Sequence, residues 1–160
     1  MNIPDPQPTS RHISRSPVRL VALGYGVVFL LVGIAGFVPG LTSNFDALSS
    51  GGHHSEALLL GVFQVSILHN AVHLVFGVTG IAISLASWPP PSRWYLRVGG
   101  ALYLALWLYG LVIDKDSAAN FVPLNVADDW LHFTLGVTMI GLSFLPRYSR
   151  RSVPSAPRQR

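Results

Sequence analysis

The chain has 160 residues, of which 50% are hydrophobic and only 11% are charged, against about 25% charged in a typical soluble domain. With a mean hydropathy of +0.45, this excludes an ordinary water-soluble globule. The absence of cysteine excludes disulfide scaffolds, thiolate metal sites and thiol catalysis.

Residues 1–16 are rich in Pro, Ser and Arg and read as a disordered tail. The first apolar span covers 18–38, carries no charge after Arg19 and is closed by Pro39-Gly40. A cleaved signal peptide would have a shorter apolar region followed by a small-x-small site, so this span reads as a retained helix. The loop 40–56 is small and polar. Its His53 and His54 stand beside Gly51 and Gly52 and read as solvated side chains.

The second apolar stretch, 57–87, would exceed about 40 Å as one straight helix, against a hydrocarbon core of about 30 Å. It divides into an interfacial segment at 57–66 and a span at 67–87, halted by Pro89-Pro90-Pro91. The third span covers 94–113 and ends at Asp114-Lys115-Asp116. The fourth covers 128–145, where Pro146 stops it, with Asn125 or Asp128 as its N-cap. Residues 147–160 form a second basic tail that also reads as disordered. The transmembrane domain is thus 17–146.

Charge placement gives the direction of threading. Of the 11 basic residues, Lys115 alone falls on the side opposite the arginines. Arg11, Arg15, Arg19, Arg93, Arg97, Arg147, Arg150, Arg151, Arg158 and Arg160 share the other side. The acids partition oppositely, with Asp5 the exception. Positive charge collects on the cytoplasmic face, so both termini are expected inside. The pI near 10.0 then reflects topology and anionic lipid headgroups, and nucleic acid is not an expected partner. Trp88, Trp94, Tyr95 and Tyr148 are expected in an inner aromatic belt, Phe121 and Trp130 in an outer one. Tyr103 and Trp107, four residues apart, share a helix face and read as packing.

Two segments repeat. Ser66–Ile81 reads SILHNAVHLVFGVTGI and Asn125–Ile140 reads NVADDWLHFTLGVTMI. His73 matches His132, Gly77 matches Gly136, and His69-Asn70 falls opposite Asp128-Asp129. Arg19 with Arg97 and Tyr25 with Tyr103 extend the match to the first and third spans. Two helical hairpins related by an axis along the membrane normal are implied. Residues four apart share a helix face, so His69, His73 and Gly77 form one stripe, and Asp128, His132 and Gly136 another. Small residues allow close helix approach in membranes. The second and fourth spans are therefore expected to cross near Gly77 and Gly136.

His69, Asn70, His73, Asn125, Asp128, Asp129 and His132 would gather at the outer helix ends. The leading reading of this cluster is structural, because buried polar groups need hydrogen-bond partners and Asp is favoured at a helix N-terminus. The alternative is a transition-metal site at His69, His73, Asp128 and His132, or haem held by His73 and His132, with a redox role. No His-Glu-x-x-His is present to supply a hydrolytic base. No ionisable residue falls near the midplane, which argues against a coupled transporter.

At LHNAVHLVFGVTG and LNVADDWLHFTLGVTMI the sequence resembles a family of small bacterial, mainly actinobacterial, membrane proteins, domain of unknown function family 4383. The resemblance covers roughly residues 17–146. The family pattern has Asn-Pro where Ser66-Ile67 stands here, and Asn where Asp129 stands. The resemblance implies a four-helix integral protein of the plasma membrane and no activity. The expectation is an all-α, four-helix membrane bundle with both termini cytoplasmic. Its role is non-enzymatic, as an accessory or assembly subunit without a cofactor. Its partners are the lipid bilayer and other membrane proteins.

Overall fold

The computed structural model describes residues 16–86 and 90–146. Both tails beyond Ser16 and Pro146, with their arginines, Asp5 and Tyr148, lie outside the described residues, as does Trp88. Four helices account for most of the described chain: α1 Pro17–Ala35, α2 Ile67–Leu85, α3 Pro90–Val112 and α4 Val126–Leu142. The apolar runs between turn-forming residues dictate these elements. Pro17 opens α1 and Pro90-Pro91 open α3. Proline is tolerated in a first turn because the missing N–H would have no helical partner there. The triple proline therefore separates α2 from α3 and also starts α3.

The segment between α1 and α2 is built rather than loose. It carries three two-residue strands, β1 Thr42–Ser43, β2 Leu58–Leu59 and β3 Phe63–Gln64, in an antiparallel sheet of order β1-β2-β3. The sequence expectation of an all-α chain missed this sheet. Segment 57–66, expected to lie in the membrane interface, folds as the β2–β3 hairpin. Leu60 and Gly61 turn it with φ of 53° and 70°, the left-handed pair that suits a tight hairpin turn. Ala57, Leu59 and Val65 are buried against Val32, Ala35, Leu48 and Phe63, fastening the sheet to the end of α1.

The helices pack as two antiparallel hairpins, α1 with α2 and α3 with α4. Glycines line both seams. A Cβ at Gly26 would lie 2.7 Å from Ile81 N, and one at Gly33 would lie 2.9 Å from Asn70 O. Across the second seam, a Cβ at Gly100 would lie 2.9 Å from Gly136 O. Gly77 and Gly136 do permit close approach, but not to each other. A Cβ on Gly77 would strike the Leu30 backbone of α1, and one on Gly136 would strike Leu104 of α3. The expected crossing of the second and fourth spans at these glycines is corrected. Helical periodicity marks the face that packs but not the helix it meets.

An arginine latch closes each hairpin. Arg19 Nε and Nη2 donate to Ser84 O at 3.0 and 2.7 Å. Arg93 donates to Ser143 O and Leu145 O at 2.9 and 2.7 Å, and Arg97 Nε donates to Ser143 Oγ at 3.2 Å. The final carbonyls of a helix have no intrahelical donor, and a guanidinium supplies one where the helix dipole is negative. The two hairpins meet around Val18, Ala22, Phe29, Tyr95, Leu96, Tyr103 and Met139. Tyr95 thus belongs to the core rather than to an aromatic belt; its hydroxyl donates to Phe76 O at 3.2 Å. Trp94, Phe121 and Trp130 are exposed.

α1, α2 and residues 91–112 of α3 are long and apolar enough to cross a membrane. α4 has 17 residues, about 25 Å of helix, and continues through turns to Leu145.

The seam gives a local test. Nothing lies within 4 Å of a Cβ at Gly24, two residues from the blocked Gly26. Gly26→Ala is expected to lower stability by about 1–3 kcal/mol through overpacking. Gly24→Ala should leave stability unchanged or raise it by up to about 1 kcal/mol. Thermal unfolding of the two variants in detergent micelles checks the contrast.

Candidate functional site

The seven polar residues expected to form one cluster are divided: Asn125 and Asp128 form a clamp, His69, His73 and His132 line a cavity, and Asp129 and Asn70 belong to neither. The first arrangement, the clamp, stands at the start of α4. Asn125 is the N-cap: its Oδ1 accepts from Asp128 N at 3.0 Å, while Asp128 Oδ2 accepts from Asn125 N at 2.9 Å. This is a reciprocal capping box, which satisfies two helix-end donors at once. The same Asp128 oxygen accepts from Gln64 N of β3 at 3.1 Å, and Asn125 Nδ2 donates to Val62 O at 2.8 Å. The clamp therefore ties α4 of the second hairpin to the sheet of the first.

Asp129, the neighbouring acid, forms an ion pair with Lys115 at 2.8 Å. Asn120, which the sequence did not single out, anchors the α3–α4 connection. Its Nδ2 donates to Lys115 O and Leu124 O at 3.0 and 3.1 Å, and its Oδ1 accepts from Leu124 N at 3.0 Å. Only its spacing of four from Leu124 in an Asn/Pro-containing loop hinted at this role. Asn70 falls elsewhere again, buried in the α1–α2 seam against Gly36 with its Nδ2 unpartnered.

The second arrangement is a cavity of about 380 Å³ between the hairpins. His69 and His73 of α2, Tyr103 of α3 and His132 of α4 line it, among Phe76, Leu102 and Leu106. The two α2 rings stand edge to face at 4.5 Å, and Tyr103 and His132 lie 5.2 Å apart. Tyr103 also stacks on Phe29 at 5.4 Å. His73 is 7% exposed and His132 2%. Both ring nitrogens of His69, and Nδ1 of His73 and of His132, are buried without a hydrogen-bond partner.

Neither the His73 Nδ1 nor the His132 Nδ1 has Asp128, Asn70 or a loop carbonyl as a partner. Of the candidate ligand set His69, His73, Asp128 and His132, the three histidines line the cavity, whereas Asp128 is not part of its wall and its carboxylate accepts from Asn125 N and Gln64 N. Among the described residues no group of three or more His, Asp or Glu side chains converges as a metal sphere. Residues at i and i+4 share a face. That rule grouped the histidines correctly, but it could not show that Asp128 turns back onto its own helix end. His53 and His54, with ring centroids 3.8 Å apart and planes tilted by 40°, lie in the α1–α2 connection.

A family model described as Domain of unknown function (DUF4383) matches residues 19–145. No curated protein and no solved structure matches the chain.

The clamp predicts a measurable cost. Asp128→Ala should destabilise the fold by about 1–2 kcal/mol, since it removes a cap and leaves two N–H groups unpaired. Asn125→Ala should cost about 1 kcal/mol. The double variant should cost less than the sum, because both replacements break one reciprocal pair. Chemical denaturation in mixed micelles gives the three values.

Proposed function

The chain belongs to the DUF4383 family, whose function is unknown, and from that premise we propose that it is a non-enzymatic, multi-pass protein of the cell membrane. It has both termini on the cytoplasmic side and serves as an accessory or assembly subunit. α4 is the fourth span, packed along α3 and latched to it at the inner end.

The observation that carries this reading is the full employment of the outer carboxylates Asp128 and Asp129. One caps α4 and braces β3, and the other is paired with Lys115. Each is engaged in holding the fold together, so the outer cluster is read as a brace. Three arginines near the ends of the described helices, Arg19, Arg93 and Arg97, lie at the opposite end from Lys115. This separation is the one that positive-inside threading produces. Around the clamp, Leu60, Val62, Val126 and Trp130 are 65%, 49%, 67% and 57% exposed. They give an accessory subunit an apolar outer rim at which to meet a neighbouring membrane protein.

A photo-crosslinking residue at Trp130, compared with one at lipid-facing Val137, tests the role in native membranes. A discrete protein adduct at Trp130 and lipid adducts at Val137 are expected. Lipid adducts alone at both positions would contradict an accessory role.

A further inference from the structure

The clamp explains the carboxylates and leaves the histidines unexplained. A buried polar atom without a partner costs about 1–3 kcal/mol, and such groups are scarce in native proteins. Here four imidazole nitrogens, on His69, His73 and His132, share that condition around one cavity. An occupant that accepts from the imidazole N–H groups would relieve part of that cost.

The lining limits what the occupant can be. No charged side chain lines the cavity, so the occupant carries no net charge. Apart from Ser66 and the Tyr103 hydroxyl, the rest of the wall is aliphatic or aromatic. Water could meet the imidazoles but would leave the apolar remainder of a cavity of about 380 Å³ without favourable contacts. A neutral imidazole offers one donor and one acceptor. The imidazoles come from α2 and α4, on different hairpins, so an occupant is met by polar groups from two helices. The ring pairs His69–His73, Phe29–Tyr103 and Tyr103–His132 make surroundings suited to a flat ring.

The cavity mouth shows the route of entry. Leu68, Val72, Leu102 and Phe121 are 48%, 54%, 55% and 59% exposed. They are apolar; Leu68 and Val72 lie on α2 and Leu102 on α3, helices suited to lipid, and Phe121 lies in the connection above them, so entry is sideways from the bilayer. A second, shallower hollow of about 280 Å³ continues along α2, lined by Ala71, Val72, Val75, Phe76 and Thr79. It shares Val72 and Phe76 with the cavity, so a chain leaving the cavity has an apolar track to follow.

We infer that the inter-hairpin cavity binds a neutral, long-tailed lipid with a carbonyl-bearing ring head, of the prenylated quinone class. The ring sits among His69, His73, His132 and Tyr103, and the tail runs along α2. Polar atoms on both sides of a quinone ring can meet imidazoles from both hairpins; an acylglycerol has its polar atoms at one end. The inference rests on the membrane reading for the direction of entry alone.

The test is titration of the full chain, purified in detergent and solvent-stripped of lipid, with a decyl-tailed benzoquinone, read by quenching of tryptophan fluorescence. Saturable, one-to-one binding is expected, with a rise in melting temperature. His132→Phe and His73→Phe keep ring bulk but remove the nitrogens, and each should weaken binding at least tenfold. His53→Ala should leave it unchanged. Should either Phe variant fail to fold, Val72→Trp, which narrows the mouth, should weaken binding in its place. Overturning results are absence of saturation in folded protein, equal affinity in the Phe variants, or equal competition by decanol or dioleoylglycerol. Stoichiometric metal or a Soret band in the purified protein, lost in the same variants, would also overturn it. Because the titration is done in micelles, its failure leaves the Trp130 crosslink unaffected, and a lipid-only adduct at Trp130 leaves the titration unaffected.

Discussion

Helix ends govern this structure. A helix leaves donors free at its start and carbonyls free at its finish, and in a membrane there is little water to satisfy them. In a chain with 11% charged residues, the few polar side chains are spent at those points. Arg19 closes α2 at Ser84, and Arg93 with Arg97 closes α4 at Ser143. Ser66 caps the start of α2 by accepting from His69 N, and Asn125 caps α4. Ser66 and Asn125 are equivalent positions of the repeat, as are Arg19 and Arg97, and Ser84 and Ser143. The hairpin is thus one solution used twice: a latch at one end, a cap at the other and glycines between.

This economy has a geometric result. Glycine seams draw the backbones together within each hairpin. Between hairpins the contact is made by larger side chains, chiefly Phe29, Tyr95, Leu96, Tyr103 and Met139. Bulky contacts leave space where the side chains run out, and the cavity lies there. The clamp from Asn125 and Asp128 to Val62 and Gln64 spans the same division at one end. The cavity therefore lies between rigid units that are joined without being fused, a common location for small-molecule sites.

Much of the architecture was legible because the constraints behind it are local. Apolar runs set by lipid thickness mark α1, α2 and α3, and the Asn-x-x-Asp spacing marks the cap of α4. The repeat at His73/His132 and Gly77/Gly136 marks two like hairpins. The sheet at 42–64 was hidden because its strands are two residues long, too short for alternation to register. The pairing of Gly77 with Leu30, and of Gly136 with Leu104, was hidden because small residues announce a close approach without naming the partner. The candidate site was half legible. His69, His73 and His132 share a cavity, as their spacing suggested. Asp128, Asp129, Asn70 and Asn125 do not join them, because cap, ion pair and seam claim those side chains first. Tyr103 was readable as packing, and its second role in the cavity wall needed the fold.

The central claim is that α1 packs on α2 and α3 on α4, with α2 and α4 not meeting at their glycines. The absence of cysteine makes site-directed crosslinking direct. A Cβ at Gly77 would lie 2.7 Å from Leu30 Cα, so a side chain there would disturb the seam, whereas Leu31 and Val78 stand next to this contact and are exposed. Rapid intramolecular crosslinking of Leu31→Cys with Val78→Cys by a short bismaleimide in membranes is predicted, with none between Val78→Cys and Val137→Cys. The reverse pattern would contradict the account.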